Sequence, residues 1–358
     1  MNIKIEKKDL VALITKAGRG AAHNSAIPQL QVLYMEAANG KLVARATNME
    51  FGIKTSTSEL QFDEEGKVLV NAKYFENFVK SLPAGVISLE VKDNKLQVKY
   101  ARSKANLNLL EGSDYPDWPE CQKEVITIPG NLLRKGISAV LPAVAKNHFR
   151  MVFTGVLMDI KADKTIWVGS DTHRLAIIET EGGGNPQQLI IPLKTAEELL
   201  RVVDDEDVVV YTSGNNLLFK TGETEIFSRI INGQYPDVNA VISKDFVSEC
   251  SVNTETFRQS IARILTLPPS EGKIQSAHLT LNGALEVSAV SDAVGEIKDI
   301  IEIKKTGQDL EIYFNANYLI DALKGMPEQT KISFAGTCSP ALFAGDDGFR
   351  LVLVPLIR

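Results

Sequence analysis

The sequence predicts an α+β protein made of three copies of one domain, each copy holding two halves of β-α-β-β-β plan. Three observations predict it. First, residues 67–83, 188–204 and 310–327 each pass from a strand-like apolar run to apolar positions at helical spacing. The stripes are Tyr74, Phe75, Phe78, Val79 and Leu82; then Thr195, Ala196, Leu199, Leu200 and Val203; then Tyr318, Leu319, Ala322, Leu323 and Met326. All share the offsets 0, 1, 4, 5 and 8, which at about 100° per residue gather five side chains on one helix face. Second, the same offsets recur from Asp9 (Leu10, Leu13, Ile14, Ala17), from Leu132 (Leu133, Gly136, Ile137, Val140) and from Thr256 (Phe257, Ser260, Ile261, Ile264). Ahead of them stand Ile3 and Ile5, Ile126 and Ile128, Cys250 and Val252, at the period of two of a half-buried strand. Third, the copies are 121 to 124 residues apart in both series, the length of a domain. The expected limits are 1–121, 122–245 and 246–358.

Taken in order, the first copy opens with a strand and a helix over 8–18, then a small polar loop to residue 29. Strands follow at 31–37, 41–47 and 51–57, with Asn39-Gly40 as a hairpin turn. Its second half has the strand and helix of 67–83, strands at 86–92, 95–101 and 105–111, and a turn at Asp93-Asn94. Residues 113–120, with two prolines and an aromatic pair, read as a linker. The second copy repeats this with strands at 156–161, 165–170 and 173–179, then 208–212, 216–221 and 226–231. Its Tyr235-Pro236-Asp237 echoes Tyr115-Pro116-Asp117. The third copy has strands at 278–283, 284–290 and 297–303, then 331–336, 340–345 and 350–358. Hairpins dominate and each half has one helix, which places helices on one side of antiparallel sheets.

Composition bounds the function. With 358 residues, 44% hydrophobic and 23% charged, the chain has the makeup of a globular protein with real cores. No apolar run approaches the ~20 residues of a membrane span, and the first ten residues lack the apolar core of a signal peptide. Three widely spaced cysteines without a CxxC pair argue against disulfides and zinc, so a cytoplasmic location is expected. Neither GxxxxGK[ST] nor GxGxxG occurs, and the four histidines show no metal-ligand spacing, so no cofactor, metal or catalytic residue is expected. The one cluster to weigh for catalysis is residues 169–176, where Asp171 and His173 would share a face of an extended strand. A structural role for the pair, closing a turn or holding Arg174, is the favoured reading.

Charge is more informative. A net charge of −6 argues against a general nucleic-acid coat. Yet the six helical stretches (8–20, 72–82, 131–146, 194–203, 254–266 and 316–325) sum to +7 and leave −13 for the rest. Opposite each anchor stripe, at offset 6, stand Lys80, Arg201 and Lys324. Helices on a common side of a continuous sheet would line the inside of a ring. At ~10 Å between axes, six helices make a circle only ~19 Å across, whereas twelve make one of ~38 Å. After subtraction of helix thickness the larger ring leaves at least ~26 Å, enough for a duplex. If such a ring encloses DNA, the functional unit should be two chains, touching phosphates without reading sequence.

The chain resembles the bacterial DNA sliding clamp, the beta subunit of DNA polymerase III. The likeness covers all 358 residues. It rests on Asn48-Met49-Glu50 after Arg45-Ala46-Thr47, on the run from Ser170 to Ala176, on Phe314-Asn315-Ala316-Asn317-Tyr318-Leu319 and on Val354-Pro355-Leu356. It implies a DNA-clamp fold and a ring-shaped, head-to-tail homodimer with helices lining the hole and sheets outside. It implies a non-catalytic processivity factor, loaded by an ATP-driven clamp loader, that tethers the replicative polymerase and other factors in the cytoplasm at the nucleoid. It also implies a groove between the second and third domains for short peptides with apolar anchors. Position by position, that groove would be lined by Phe153, Gly155, Ser170, Thr172, His173, Arg174 and Leu175. From further along the chain come Pro236, Val241, Cys338, Pro340, Val352, Val354, Pro355 and Leu356. DNA-facing candidates are Arg19, Lys80, Arg134, Lys135, Lys146, Arg201, Arg258 and Lys324. The dimer contact implied joins Leu107 and Leu109 to Ile264 and Leu267. The sequence departs from the family pattern at Thr172, where glycine is usual, at Ala240, at the C-terminal Val-Pro-Leu-Ile-Arg, at Ala105 and Thr266, and at His23 and Asn24. These departures imply a narrower groove with a shifted motif preference, and Arg19 in place of the missing basic character. Two alternatives stay open on the residues: a peptide-recruiting scaffold that does not encircle DNA, and a hydrolase using Asp171 and His173.

Overall fold

The computed structural model describes residues 1–22, 25–57, 60–110, 115–269, 274–345 and 348–357. Six α-helices stand at the expected places among them: α1 (Lys7–Gly18), α2 (Ala72–Ser81), α3 (Gly130–Val140), α4 (Leu193–Val202), α5 (Thr254–Ile264) and α6 (Ala316–Lys324). The expected stretch of 131–146 is cut short. Pro142 has no N–H to continue the ladder, and a 3-10 turn over Leu141–Ala143 ends the helix. Three helices share one start signal, an asparagine whose side chain accepts a backbone N–H: Asn71 from Tyr74, Asn253 from Thr256 and Asn315 from Asn317.

The stripes are buried at offsets 1, 4, 5 and 8, with Leu200 and Phe78 half-buried. Offset 0 is mixed: Asp9 and Thr256 are exposed and Tyr74 is 60% exposed, Leu132 and Tyr318 are half-buried, and Thr195 is buried. The buried arc is therefore centred near 90° rather than about 70° from offset 0, which leaves that position on the rim. Lys80, Arg201 and Lys324 still lie well away from the core and are exposed.

Among the described residues the strands form four antiparallel sheets. In spatial order the five-stranded sheet is Phe62–Glu64, Asn2–Glu6, Val86–Lys92, Lys95–Tyr100 and Ser103–Asn108. The eight-stranded sheet is Lys123–Pro129, Asp207–Ser213, Asn216–Thr221, Thr224–Arg229, Phe51–Ser56, Lys41–Thr47, Val32–Ala38 and Gly66–Asn71. The nine-stranded sheet is Gln187–Pro192, Gly155–Ile160, Lys164–Ser170, Arg174–Glu181, Arg350–Leu353, Ala341–Ala344, Gln329–Phe334, Ser248–Asn253 and Lys304–Gly307. The four-stranded sheet is Gly295–Ile301, Leu285–Ser291, Ser276–Leu281 and Leu310–Asn315. The hairpin turns are as expected: Asn39-Gly40 and Asp93-Asn94 all have positive φ, the backbone of a type I′ turn.

The chain groups into two compact units, residues 1–131 with 201–230, and residues 132–200 with 231–358. They do not coincide with the sequence repeats, because sheet hydrogen bonds cross the repeat boundaries. In the first unit, Phe51–Ser56 of the first repeat pairs with Thr224–Arg229 of the second. Within the other unit, Arg174–Glu181 of the second repeat pairs with Arg350–Leu353 of the third. The first unit's core joins Leu10, Ile14, Phe75 and Val79 to strand residues of both its sheets, among them Ile3, Leu89, Leu33 and Leu42. The expected linker is packed rather than loose, Ser113 and Asp114 lying outside the described residues. Tyr115 stacks on Tyr34 at 5.4 Å, the Arg45 guanidinium lies 4.4 Å over Tyr34, and burial pushes the Tyr115 phenol up to about 12. Trp118 donates to Glu225 at 2.8 Å. No helix among the described residues is long and apolar enough to cross a membrane.

Candidate functional site

The site begins with a turn that the chain builds twice. Between strands ending at Thr47 and starting at Phe51, Asn48 Oδ1 accepts the backbone N–H groups of Glu50 and Phe51. Met49 N–H donates to Thr47 Oγ1, which in turn donates to the Phe51 carbonyl. The second copy, 123 residues on, is the same set of bonds. Asp171 Oδ1 accepts from His173 and Arg174, Thr172 N–H donates to Ser170 Oγ, and Ser170 Oγ donates to the Arg174 carbonyl. Both turns need a left-handed residue, Met49 at φ 72° and Thr172 at φ 74°. A β-branched residue is strained there, and glycine would not be.

In the second turn the other carboxylate oxygen of Asp171 takes Arg174 Nε at 3.0 Å. Arg174 Nη1 reaches Asp321 on α6 at 2.9 Å, and the guanidinium lies 4.4 Å over the Tyr318 ring. Burial raises the Asp321 carboxyl, but the hydrogen bonds from Lys324 and Arg174 outweigh it and hold the group below its usual range. Asp171 is thus occupied by two backbone donors and one arginine. The His173 ring is exposed and stacks on Tyr318 at 6.2 Å. This is the turn-closing, arginine-holding role that the sequence favours, and it leaves no Asp171–His173 proton relay.

Beside this turn lies a largely apolar cavity of about 230 Å³. Phe153, Ser170, Thr172, Arg174, Leu175, Pro236, Val241, Val352 and Val354 line it, all candidates from the sequence. Gly155, His173, Cys338, Pro340, Pro355 and Leu356 stand outside its lining. Gly155 is packed in the sheet, where an added Cβ would meet the Ile191 carbonyl at 2.7 Å. Pro355 is buried, and the Leu356 N–H is tied to the Tyr313 carbonyl at 2.7 Å. Cys338 is exposed and Pro340 half-buried.

Four lining residues have no counterpart among the sequence candidates: Arg150, Tyr235, Asp237 and Val238. Tyr235 packs edge-on against Phe153 at 5.7 Å and is buried. Burial, then the charge of Asp171, push its phenol above the usual range, and the backbone of Ser170 pulls the other way. The repeated Tyr-Pro-Asp was the available signal for it. Arg150 lies 5.1 Å from the Phe153 ring centre and His148 5.0 Å, on an irregular segment that carries no periodicity.

The cationic candidates are scattered over the helices and the segments that follow them. Lys80 pairs with Glu76 at 2.5 Å, Lys324 with Asp321 at 2.9 Å and Arg258 with Glu255 at 2.7 Å. Arg19, Lys135, Lys146 and Arg201 are exposed, and Arg134 is half-exposed. His23 and Asn24 lie outside the described residues. Of the dimer candidates, Leu107 and Leu109 are half-buried, Ile264 is wholly within its own core and Leu267 nearly so. Among the described residues no three His, Cys, Asp or Glu side chains gather into a metal site.

Sequence models of the N-terminal, central and C-terminal domains of the DNA polymerase III beta subunit match residues 1–119, 127–237 and 239–356. The beta sliding clamp of Bacillus subtilis is 28% identical over 96% of this chain and 95% of its own length. The crystal structure of the B. subtilis DNA polymerase sliding clamp superposes with a TM-score of 0.95 at 26% identity, covering 100% of this chain and 99% of that one. A putative DNA polymerase III beta subunit from Eubacterium rectale gives 0.93 at 25% identity, with 99% of each chain covered. With three matching domains in order and end-to-end likeness to clamps, the chain belongs to the DNA polymerase III beta subunit family, the non-catalytic bacterial sliding clamps.

Proposed function

We propose that two copies of this chain close head to tail around duplex DNA, and that the ring slides without sequence preference while tethering the replicative polymerase. The observation that carries the ring is the pairing rule of the sheets. At each repeat boundary the last strand of one repeat pairs with a first-half strand of the repeat before it. Applied once more, the rule pairs Gly295–Ile301 of the third repeat with Ser103–Asn108 of a first repeat. Both are open edges within one chain among the described residues. Unpaired strand edges are templates for another chain.

Charge supports that pairing. Residues 95–104 carry +4 (Lys95, Lys99, Arg102, Lys104), and residues 292–302 carry −3 (Asp292, Glu296, Asp299 and Glu302 against Lys298). Exposed Val290, Val294 and Ile300 would be covered at the same contact. In this reading Leu107 and Leu109 lie at the joint, and Ile264 and Leu267 back it from the core. The repeats take the limits 1–121, 122–245 and 246–358. Lys80, Arg201, Lys324 and the other helix cations face the phosphates.

The cavity beside Arg174 would take the apolar anchors of short peptides from the clamp loader, the polymerase and other DNA-processing proteins in the cytoplasm at the nucleoid. Its mix of apolar walls with a few polar groups suits that use. The test is mass under native conditions together with retention on DNA. A dimer that stays on nicked circular DNA and runs off the same molecule once linearised is expected. A monomer, or equal retention on both forms, would sink the ring and leave a peptide-binding scaffold.

A further inference from the structure

Arg174 is the only guanidinium both lining the cavity and held on three sides among the described residues. Its Nε is taken by Asp171 and its Nη1 by Asp321, and Tyr318 lies beneath its plane. The side chain is only 11% exposed, and Nη2 has no hydrogen-bond partner among the described residues. A flexible arginine would lose rotamer freedom on meeting a ligand, whereas this one has lost it already. The clamp spans two elements far apart in the chain, a turn before the strand Arg174–Glu181 and the exposed side of α6. Arg174 and Asp171 are well shielded, which gives their bonds more weight than an open surface pair would have.

We infer that Asp321 on α6 is a positioning residue for the peptide groove. With Asp171 it presets the Arg174 guanidinium so that Nη2 is left for a main-chain carbonyl of the bound peptide. An extended peptide entering an apolar groove strips water from its carbonyls, and each needs a donor. The groove offers few, so one fixed donor at its lip selects where the backbone sits and thereby which side chains reach the apolar walls. Lys324, paired with the other oxygen of Asp321, balances the carboxylate on its outer side. The inference rests on the groove reading given above.

The test uses the full-length protein and one probe, the fluorescein-labelled peptide Ser-Leu-Ala-Leu-Phe-amide, followed by fluorescence anisotropy. Asp321→Asn is expected to weaken binding about tenfold, the scale of a lost hydrogen bond to a charged group. Asp321→Glu keeps the charge and should bind within about twofold of the parent. In an Arg174→Ala background, Asp321→Asn should cause no further loss, because its effect passes through the guanidinium. Unchanged binding by Asp321→Asn overturns the inference. So does an equal loss with and without Arg174, the result of a merely structural role. Failure of the parent protein to bind the probe would instead overturn the groove reading, and the inference with it.

Discussion

Gly136 stands in the middle of the α3 stripe, where the other copies have Leu13 and Ser260, and a Cβ there would come within 2.3 Å of Trp167 Nε1. Trp167 is fully buried and its indole N–H donates to Thr180 at 2.9 Å, so the ring cannot swing away without losing a buried bond. In the first copy the sizes are exchanged, with Leu13 on the helix and Ala44 on the strand, both in one core. Periodicity reported which face is buried but not how the volume is divided across it. Gly136→Ala is therefore expected to destabilise the protein by about 1–3 kcal/mol in urea titration; an unchanged midpoint would mean that the indole can shift. Thr172 is the opposite case, a side chain where the backbone favours none. Thr172→Gly should raise stability by about 1 kcal/mol, the relief of left-handed strain less the entropy of glycine. A loss of stability would show that the hydroxyl or methyl contributes more than the strain costs.

At the scale of elements, helices and hairpin strands were legible because each is specified locally. The asparagine caps, the Asn39-Gly40 and Asp93-Asn94 turns and the alternating strands all depend on neighbours within a few residues. The short strand Lys304–Gly307 and the 3-10 turns had no such pattern. The same limit explains the groove. Phe153, Leu175 and Val352 could be carried over from a related family by their positions in regular strands or next to one. Arg150 sits on an irregular segment and Val238 opens a 3-10 turn, where only tertiary contacts decide the neighbours.

Lys80 and Lys324 are held by acids one turn away, but exposed pairs of that kind are worth only about 0–1 kcal/mol, so phosphates can compete for them. Reversing Lys80, Arg201 and Lys324 together to glutamate is expected to shorten retention on nicked circular DNA by about tenfold or more at physiological salt. Retention equal to that of the parent protein would remove these positions from the DNA-facing surface.

For the whole molecule, the repeat reveals three copies, but the order in which their sheets join is not written in any one segment. Pairing across a repeat boundary depends on residues far apart in the chain, such as Phe51 and Ser228. Ser103–Asn108 and Gly295–Ile301 each end a sheet, as do six other described strands, and only the assembled topology shows which of these edges the pairing rule would join. Ile300 is 70% exposed on one of these edges. Ile300→Asp adds an unpaired charge to an already acidic rim and should shift the native mass from dimer toward monomer, while leaving the urea midpoint of the monomer nearly unchanged. A dimer of unaltered affinity would place the contact elsewhere.

The seamless rows of hydrogen bonds through both boundaries also govern what can be cut out of the chain. Scission near residue 121 would leave Phe51–Ser56 without its neighbour on one fragment and Thr224–Arg229 bare on the other. Each piece would then present a naked seam as well as its original rim, and should either re-anneal with the other piece or precipitate. Similar as they are, the three thirds are not spare parts: each is hemmed by the next.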